Sequence, residues 1–157
     1  MKKLLVVLVA IISLLTLSGC EKITEGSYKE GTYMGSDTFT SYDKKYVTTA
    51  VIYVDSNGVI KSCYIDSTYI KDNINTTKKV LKDNYGMKET SKNIGVIEGG
   101  KEWYEQVKVI EDKVLEEQGL DWVKYDETGT KLDSISGVTI SADSYIRAVD
   151  NALKQAK

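Results

Sequence analysis

Residues 45–54 alternate without a break: Tyr46, Thr48, Ala50, Ile52 and Val54 fall on one face, and Val47, Thr49, Val51 and Tyr53 on the other. Alternation at period two commits this segment to a β-strand, and bulk on both faces leads us to expect cover on both sides. Asp55-Ser56-Asn57-Gly58 follows. Asn-Gly supplies the positive φ angles of a tight hairpin, so residues 59–65 read as the returning antiparallel strand. Residues 31–42, rich in Thr, Tyr and Ser, read as a further edge strand.

The period then changes. Ile74, Thr77, Leu81 and Tyr85 recur at helical spacing, with Gly86 placed to cap the C-terminal end. Trp103, Val107, Ile110 and Val114 repeat at steps of four, three and four, with Gly119 just beyond. Residues 122–125 and 131–135 read as short strands around a Glu127-Thr128-Gly129 turn. A last helix carries Ala142, Tyr145, Ile146, Val149 and Leu153 on its apolar face, with Ser141 in the N-cap position and Asp143 in the first turn. The expected fold is α+β: an antiparallel sheet packed against about three helices, beginning near Asn73, Trp103 and Ala142, in a single small domain. The eleven tyrosines read first as packing residues whose hydroxyls reach water.

Ahead of this domain stands a different kind of segment. Met1-Lys2-Lys3 is a short basic head, and residues 4–17 are almost uninterruptedly apolar. Crossing ~30 Å of hydrocarbon takes about 20 apolar residues, more than this run offers, whereas a secretory signal needs only a short core of this kind. Leu17-Ser18-Gly19-Cys20 resembles the lipobox, which implies cleavage before Cys20 and diacylglyceryl attachment to its sulfur. Residues 1–19 are therefore expected to be a lipoprotein signal peptide, residues 20–30 a polar lipid-anchored linker, and residues 31–157 the functional domain. Two or more acyl chains on Cys20 suffice for a stable anchor, and the expected location is the extracytoplasmic face of the cell membrane.

What remains restricts the chemistry. The chain contains no histidine, and Cys63 is the one cysteine left once Cys20 carries lipid. No Ser-His or Cys-His catalytic arrangement, His-ligated haem, thiolate zinc site or intramolecular disulfide follows from such a set. Cys63 itself, within a β-rich segment, reads as buried packing before it reads as a redox centre. Removing residues 1–19 takes Lys2 and Lys3 with it and carries the formal charge from −2 to about −4. With no basic stripe, nucleic acid is excluded as a partner.

One segment points to a ligand: Asp133-Ser134-Ile135-Ser136-Gly137-Val138-Thr139-Ile140-Ser141, directly before the last helix. A hydroxyl-rich turn opening a helix brings backbone N–H groups and the positive end of the helix dipole to a phosphate, and Gly137 clears the place of closest approach. Many loop-and-cap segments of this composition bind nothing. This one, however, resembles the motif Asp-x-x-Ser/Thr-Gly-Ala-Thr/Ser of the FMN-binding domain found in flavin-carrying subunits of the Rnf and sodium-pumping NADH:quinone reductase complexes. Asp133, Ser136, Gly137 and Thr139 match, and Val138 stands where alanine is usual. The resemblance runs from about Tyr28 to Leu153, through Gly31-Thr32-Tyr33 and the Asn57-Gly58 hairpin. Tyr85-Gly86-Met87-Lys88, Ser91-Lys92 and Glu102-Trp103-Tyr104-Glu105-Gln106 look like a subgroup of surface lipoproteins of Gram-positive bacteria that serve extracellular electron transfer.

The resemblance implies FMN joined by a phosphoester to the Thr139 hydroxyl through the action of a flavin transferase. Gly137 would then be the close-approach glycine, with Ser136, Asp133 and Val138 as the other motif residues. It also implies a role as an electron carrier, more than a stand-alone enzyme, between a membrane quinone- or NADH-linked donor and extracellular acceptors. A flavin brings its own redox chemistry, so the missing histidine and cysteine are no obstacle. The alternatives are an unmodified ligand-binding or sensor lipoprotein of the same fold, which Val138 favours, and a flavin-dependent reductase, for which the sequence offers no second site.

Overall fold

The computed structural model describes residues 26–95 and 97–157; the expected signal peptide and Cys20 lie outside them. Four antiparallel strands form one sheet in the order β1-β2-β3-β4: β1 Gly31–Ser41, β2 Lys44–Val54, β3 Ile60–Lys71 and β4 Ile74–Thr77. Four helices accompany it, α1 Lys78–Leu81, α2 Lys88–Asn93, α3 Trp103–Glu117 and α4 Asp143–Leu153, with 3₁₀ turns at Lys82–Tyr85 and Lys154–Ala156. This is the α+β domain expected.

The sheet buries chiefly one face. Tyr46, Thr48, Ala50, Ile52 and Val54 of β2 are buried, together with Ile60, Cys63 and Ile65 of β3, against α3 and α4. Val47 and Tyr53, on the opposite face, are 39% and 43% exposed. The expectation of cover on both sides fails at Val47 and Tyr53: on this face Lys79, at the start of α1, lies over the Tyr64 ring at 3.7 Å and leaves those two open, and β-branched and aromatic residues also suit a solvated pleat.

The hairpins hold the register. Gly31 pairs with Val54 and Ser41 with Lys44, and Tyr42 and Asp43 turn the chain at φ 49° and 59°. In the β2–β3 turn Gly58 takes φ 75° and Asn57 stays at negative φ. The Gly58 N–H donates to the Asp55 carbonyl at 3.0 Å, and Asp55 Oδ1 accepts from Asn57 and Val59 N–H at 2.9 and 3.0 Å. The hairpin is as expected, but Asp55 and Gly58 make its turn; Asn57 is not needed at positive φ.

A third hairpin corrects the helix expected near Asn73. Asp72 and Asn73 both lie at positive φ (50° and 63°), so Ile74–Thr77 returns as β4 against β3. The helical spacing there belongs to two elements: Thr77 ends the strand, its Oγ1 accepts the Val80 N–H at 3.3 Å, and α1 begins. Gly86 does cap the following 3₁₀ turn, at φ 82°. Residues 122–125 and 131–135 form a single Tyr125–Leu132 bridge instead of two strands, since the Asp126 side chain gathers Thr128 and Lys131 N–H into a turn.

Helix α3 closes an open edge of the sheet. β4 pairs only with residues 68–71 of β3, so the first half of β3 presents unpaired backbone groups. Ile60 N–H donates to Gln118 Oε1 at 2.7 Å, Gln118 Nε2 donates to the Ile60 carbonyl at 3.1 Å, and Ile65 N–H donates to Glu111 Oε1 at 2.6 Å. Side chains of α3 thus satisfy an edge that would otherwise invite another strand. Helix α4 lies on β1 and β2 with its expected apolar face inward. Contact with β1 is so close that a Cβ on Gly35 would stand 2.1 Å from the Ala148 carbonyl oxygen. The first described residues, 26–29, bond to the body: Gly26 N–H to the Asn57 carbonyl and Lys29 N–H to the Ala156 carbonyl, both at 2.7 Å.

Candidate functional site

The motif loop leads from the Tyr125–Leu132 bridge into α4. Asp133 is exposed and anchored through its backbone N–H to the Lys124 carbonyl at 2.9 Å. Ser136 is exposed and borders, with Ser134 and Ile135, a groove of about 380 Å³ along α3. Gly137 lies at φ 79°, and a Cβ there would be 3.0 Å from Lys101 Nζ, so a lysine ammonium closes on the turn at its glycine. Val138 is 6% exposed and belongs to the hydrophobic core, which consumes its extra bulk away from the surface of the turn.

Thr139 is half-buried, and both its groups are held by one acceptor. Its N–H donates to Gln106 Oε1 at 2.8 Å and its Oγ1 donates to the same oxygen at 3.2 Å. Gln106 is fully buried in the first turn of α3, and its Nε2 donates to the Lys101 carbonyl at 3.2 Å. Lys101 is fixed in turn by the buried Ser91 hydroxyl, which accepts its N–H at 2.6 Å. Thr139, Gln106, Lys101 and Gly137 are therefore brought together by loop, helix and preceding turn, while Asp133 and Ser136 stay at the surface.

Ser141 is not the N-cap. That position falls to Ala142, which makes no side-chain cap bond; its own N–H donates to the Thr130 carbonyl at 2.7 Å. Ser141 instead borders a cavity of about 390 Å³, walled by Phe39, Met87, Trp103, Ile140 and Tyr145 and floored by Lys78. This volume lies in the range of small-molecule sites.

Lys78 is the unexpected member. It is 7% exposed, and no carboxylate among the described residues reaches salt-bridge distance of its ammonium. Four rings surround it instead, with centroids at 5.2 Å (Tyr85), 5.2 Å (Trp103), 5.5 Å (Phe39) and 6.0 Å (Tyr145), and the Tyr145 hydroxyl lies 3.4 Å away. Burial pulls the Lys78 ammonium down to about 8, with distant Asp66 opposing, and pushes the Tyr145 phenol up to about 12 against the hydrogen bond from Trp103. A second, more open cleft of about 630 Å³ carries Lys79, Lys82, Lys101 and Lys108 between Tyr64 and Tyr104. Cys63 is buried, and its thiol is pushed up to about 12 chiefly by desolvation, which leaves it an inert packing residue as expected.

Sequence reasoning missed Lys78, Lys101 and Gln106. Gln106 was within reach: three residues after Trp103 and four before Ile110, it is a polar residue on an apolar helix face. Lys78 gave no signal, because the segment around it reads as an amphipathic helix in which a lysine belongs outside.

The residues present fit a phosphate monoester. A half-buried hydroxyl, a turn glycine and a converging ammonium lie together, and an aromatic-walled cavity begins at the next residue, Ile140. No protein-family model, no curated protein and no solved structure matches this chain.

Proposed function

We propose that the protein is a lipid-anchored extracytoplasmic electron carrier of the FMN-binding domain family, with FMN joined by a phosphoester to Thr139. The observation that carries the reading is the Thr139 hydroxyl, fixed by Gln106 on a turn whose Gly137 faces the Lys101 ammonium. Lys101 would balance phosphate charge, Gln106 would orient the acceptor oxygen, and Gly137 would keep the approach open. Bound FMN supplies the redox centre; the chain supplies anchorage, orientation and polarity. Core burial of Val138 supports modification despite its departure from the usual alanine, since its methyls are packed inward.

A second reading, an unmodified ligand-binding or sensor lipoprotein, draws on the same bond. The Thr139 hydroxyl already spends its proton on Gln106, a stable arrangement without any flavin. Co-expression with an active flavin transferase separates the two. The first reading expects the intact mass to rise by one FMN less one water, with yellow fluorescence surviving denaturing electrophoresis; Thr139→Ala loses both and Ser141→Ala keeps both. A wild-type chain that stays unlabelled beside a labelled control substrate rejects covalent attachment.

A further inference from the structure

The cavity beside the motif contains a charge that packing does not require. Lys78 sits at the start of a short helix, yet its side chain turns inward beneath Phe39, Tyr85, Trp103 and Tyr145. A buried lysine without a carboxylate is costly, and an apolar residue of the same length would fill the space. The rings return part of that cost through cation–π attraction. Three of them, Phe39, Trp103 and Tyr145, also wall an open cavity that Lys78 lines, so the ammonium borders both the aromatic cage and the space a ligand would take. The lining combines flat apolar rings, the Lys78 cation, hydroxyls from Thr40, Ser41 and Ser144, and the Asp143 carboxylate, whose charge Arg147 pairs at 2.9 Å. Such a set suits a planar heteroaromatic ring with an electron-rich edge.

We infer that Lys78 is the group that favours the reduced state of a flavin ring seated in this cavity. The inference rests on the flavin reading above. Ile140 and Ser141, the residues immediately after Thr139, line the cavity, which makes it the cavity nearest along the chain to the attachment oxygen. Reduction delivers two electrons from the membrane donor and one proton from solvent to the ring, leaving one negative charge on it. Lys78 keeps its own proton throughout and, as part of the cavity lining, balances that charge. Its ionisation near 8 leaves it protonated at neutral pH.

The test uses full-length flavinylated protein, with attachment verified by intact mass. Potentiometric titration of wild type, Lys78→Met and Lys78→Arg, followed by visible absorbance, reads the preference for the reduced ring. Lys78→Met should lose about tenfold or more of that preference, a midpoint ~30 mV lower for a two-electron couple, and Lys78→Arg should stay within about threefold of wild type. A second measurement needs no variant: the attached flavin should be quenched by Trp103 and Tyr145 in the folded protein and brighten several-fold in urea. An unchanged potential in flavinylated Lys78→Met, or fluorescence indifferent to unfolding, overturns the role of Lys78 while leaving attachment to Thr139 intact. A wild-type chain that carries no flavin removes the reading on which the inference stands.

Discussion

Lys78→Met should make the apoprotein more stable at neutral pH, and the size of the gain follows from the site. The drop from the ordinary lysine value of 10.5 to about 8 corresponds to ~3 kcal/mol borne by the folded state. Four rings at 5.2–6.0 Å return on the order of 1 kcal/mol. Methionine keeps the length of the stem and fills irregular space well, so a net gain of ~2 kcal/mol is expected, or about 8 °C in Tm for a domain of this size. The pH dependence has a definite sign. Lys78 has a lowered folded value, so between pH 8 and 10.5 the unfolded chain binds more protons and wild-type stability rises relative to the variant. The advantage of Lys78→Met is therefore complete below pH 8 and fades towards 10.5. Cys63 and Tyr145 are raised to about 12; they cost stability above their ordinary values of 9.0 and 10.0 in both proteins and largely cancel in the difference. Urea melts of both proteins at pH 7, 8, 9 and 10 read this directly. A variant less stable than wild type at pH 7, or a difference flat across the series, refutes the account of Lys78 as a buried charge held at a cost.

Three further outcomes are expected. Gly35→Ala places a methyl 2.1 Å from the Ala148 carbonyl oxygen and 2.4 Å from the Ala152 nitrogen; backbone cannot yield as a side chain does, so thermal melting should show a loss of at least ~2 kcal/mol. Gln106→Leu strips the acceptor from the Thr139 N–H and the donor from the Lys101 carbonyl, costing ~1–3 kcal/mol by urea melting and lowering flavin incorporation by the transferase. Cys20→Ser should move the protein from the membrane to the soluble fraction or leave it unprocessed in fractionated cells, and a processed, membrane-bound variant contradicts lipid anchorage.

The parts of the fold legible in the sequence are those written as periods. Alternation from Tyr46 to Val54 and the spacing Trp103, Val107, Ile110, Val114 each give one buried face, and both elements form where expected. Periodicity fails at Ile74–Leu81, where two elements share one helical spacing and the deciding signal is backbone strain at Asp72 and Asn73. It fails again at Ser141, because cap chemistry predicts a hydroxyl at the helix entrance while the Thr130 carbonyl holds the neighbouring Ala142. The motif residues were legible as a turn, but the groups that give the turn its chemistry come from elsewhere. Lys101 and Gln106 lie more than thirty residues upstream and reach Gly137 and Thr139 only through the packing of α3. Lys78 comes from further still, across the sheet.

The two ends of the sheet do different things. At one end, Gly26 bonds to Asn57 and Lys29 to Ala156, so the described chain enters the domain beside the β2–β3 turn. Gln118, near the C-terminal end of α3, is pinned to Ile60 at the same end. Phe39, Thr40 and Ser41 line the aromatic cavity beside the β1–β2 turn, and strands of this length separate the two turns by ~30 Å at about 3.3 Å per residue. Trp103 and Gln106 in the first turn of α3 place Thr139 towards this second end. On the proposed anchorage at Cys20, the proposed site stands at the end of the sheet farther from the point where the chain enters the domain.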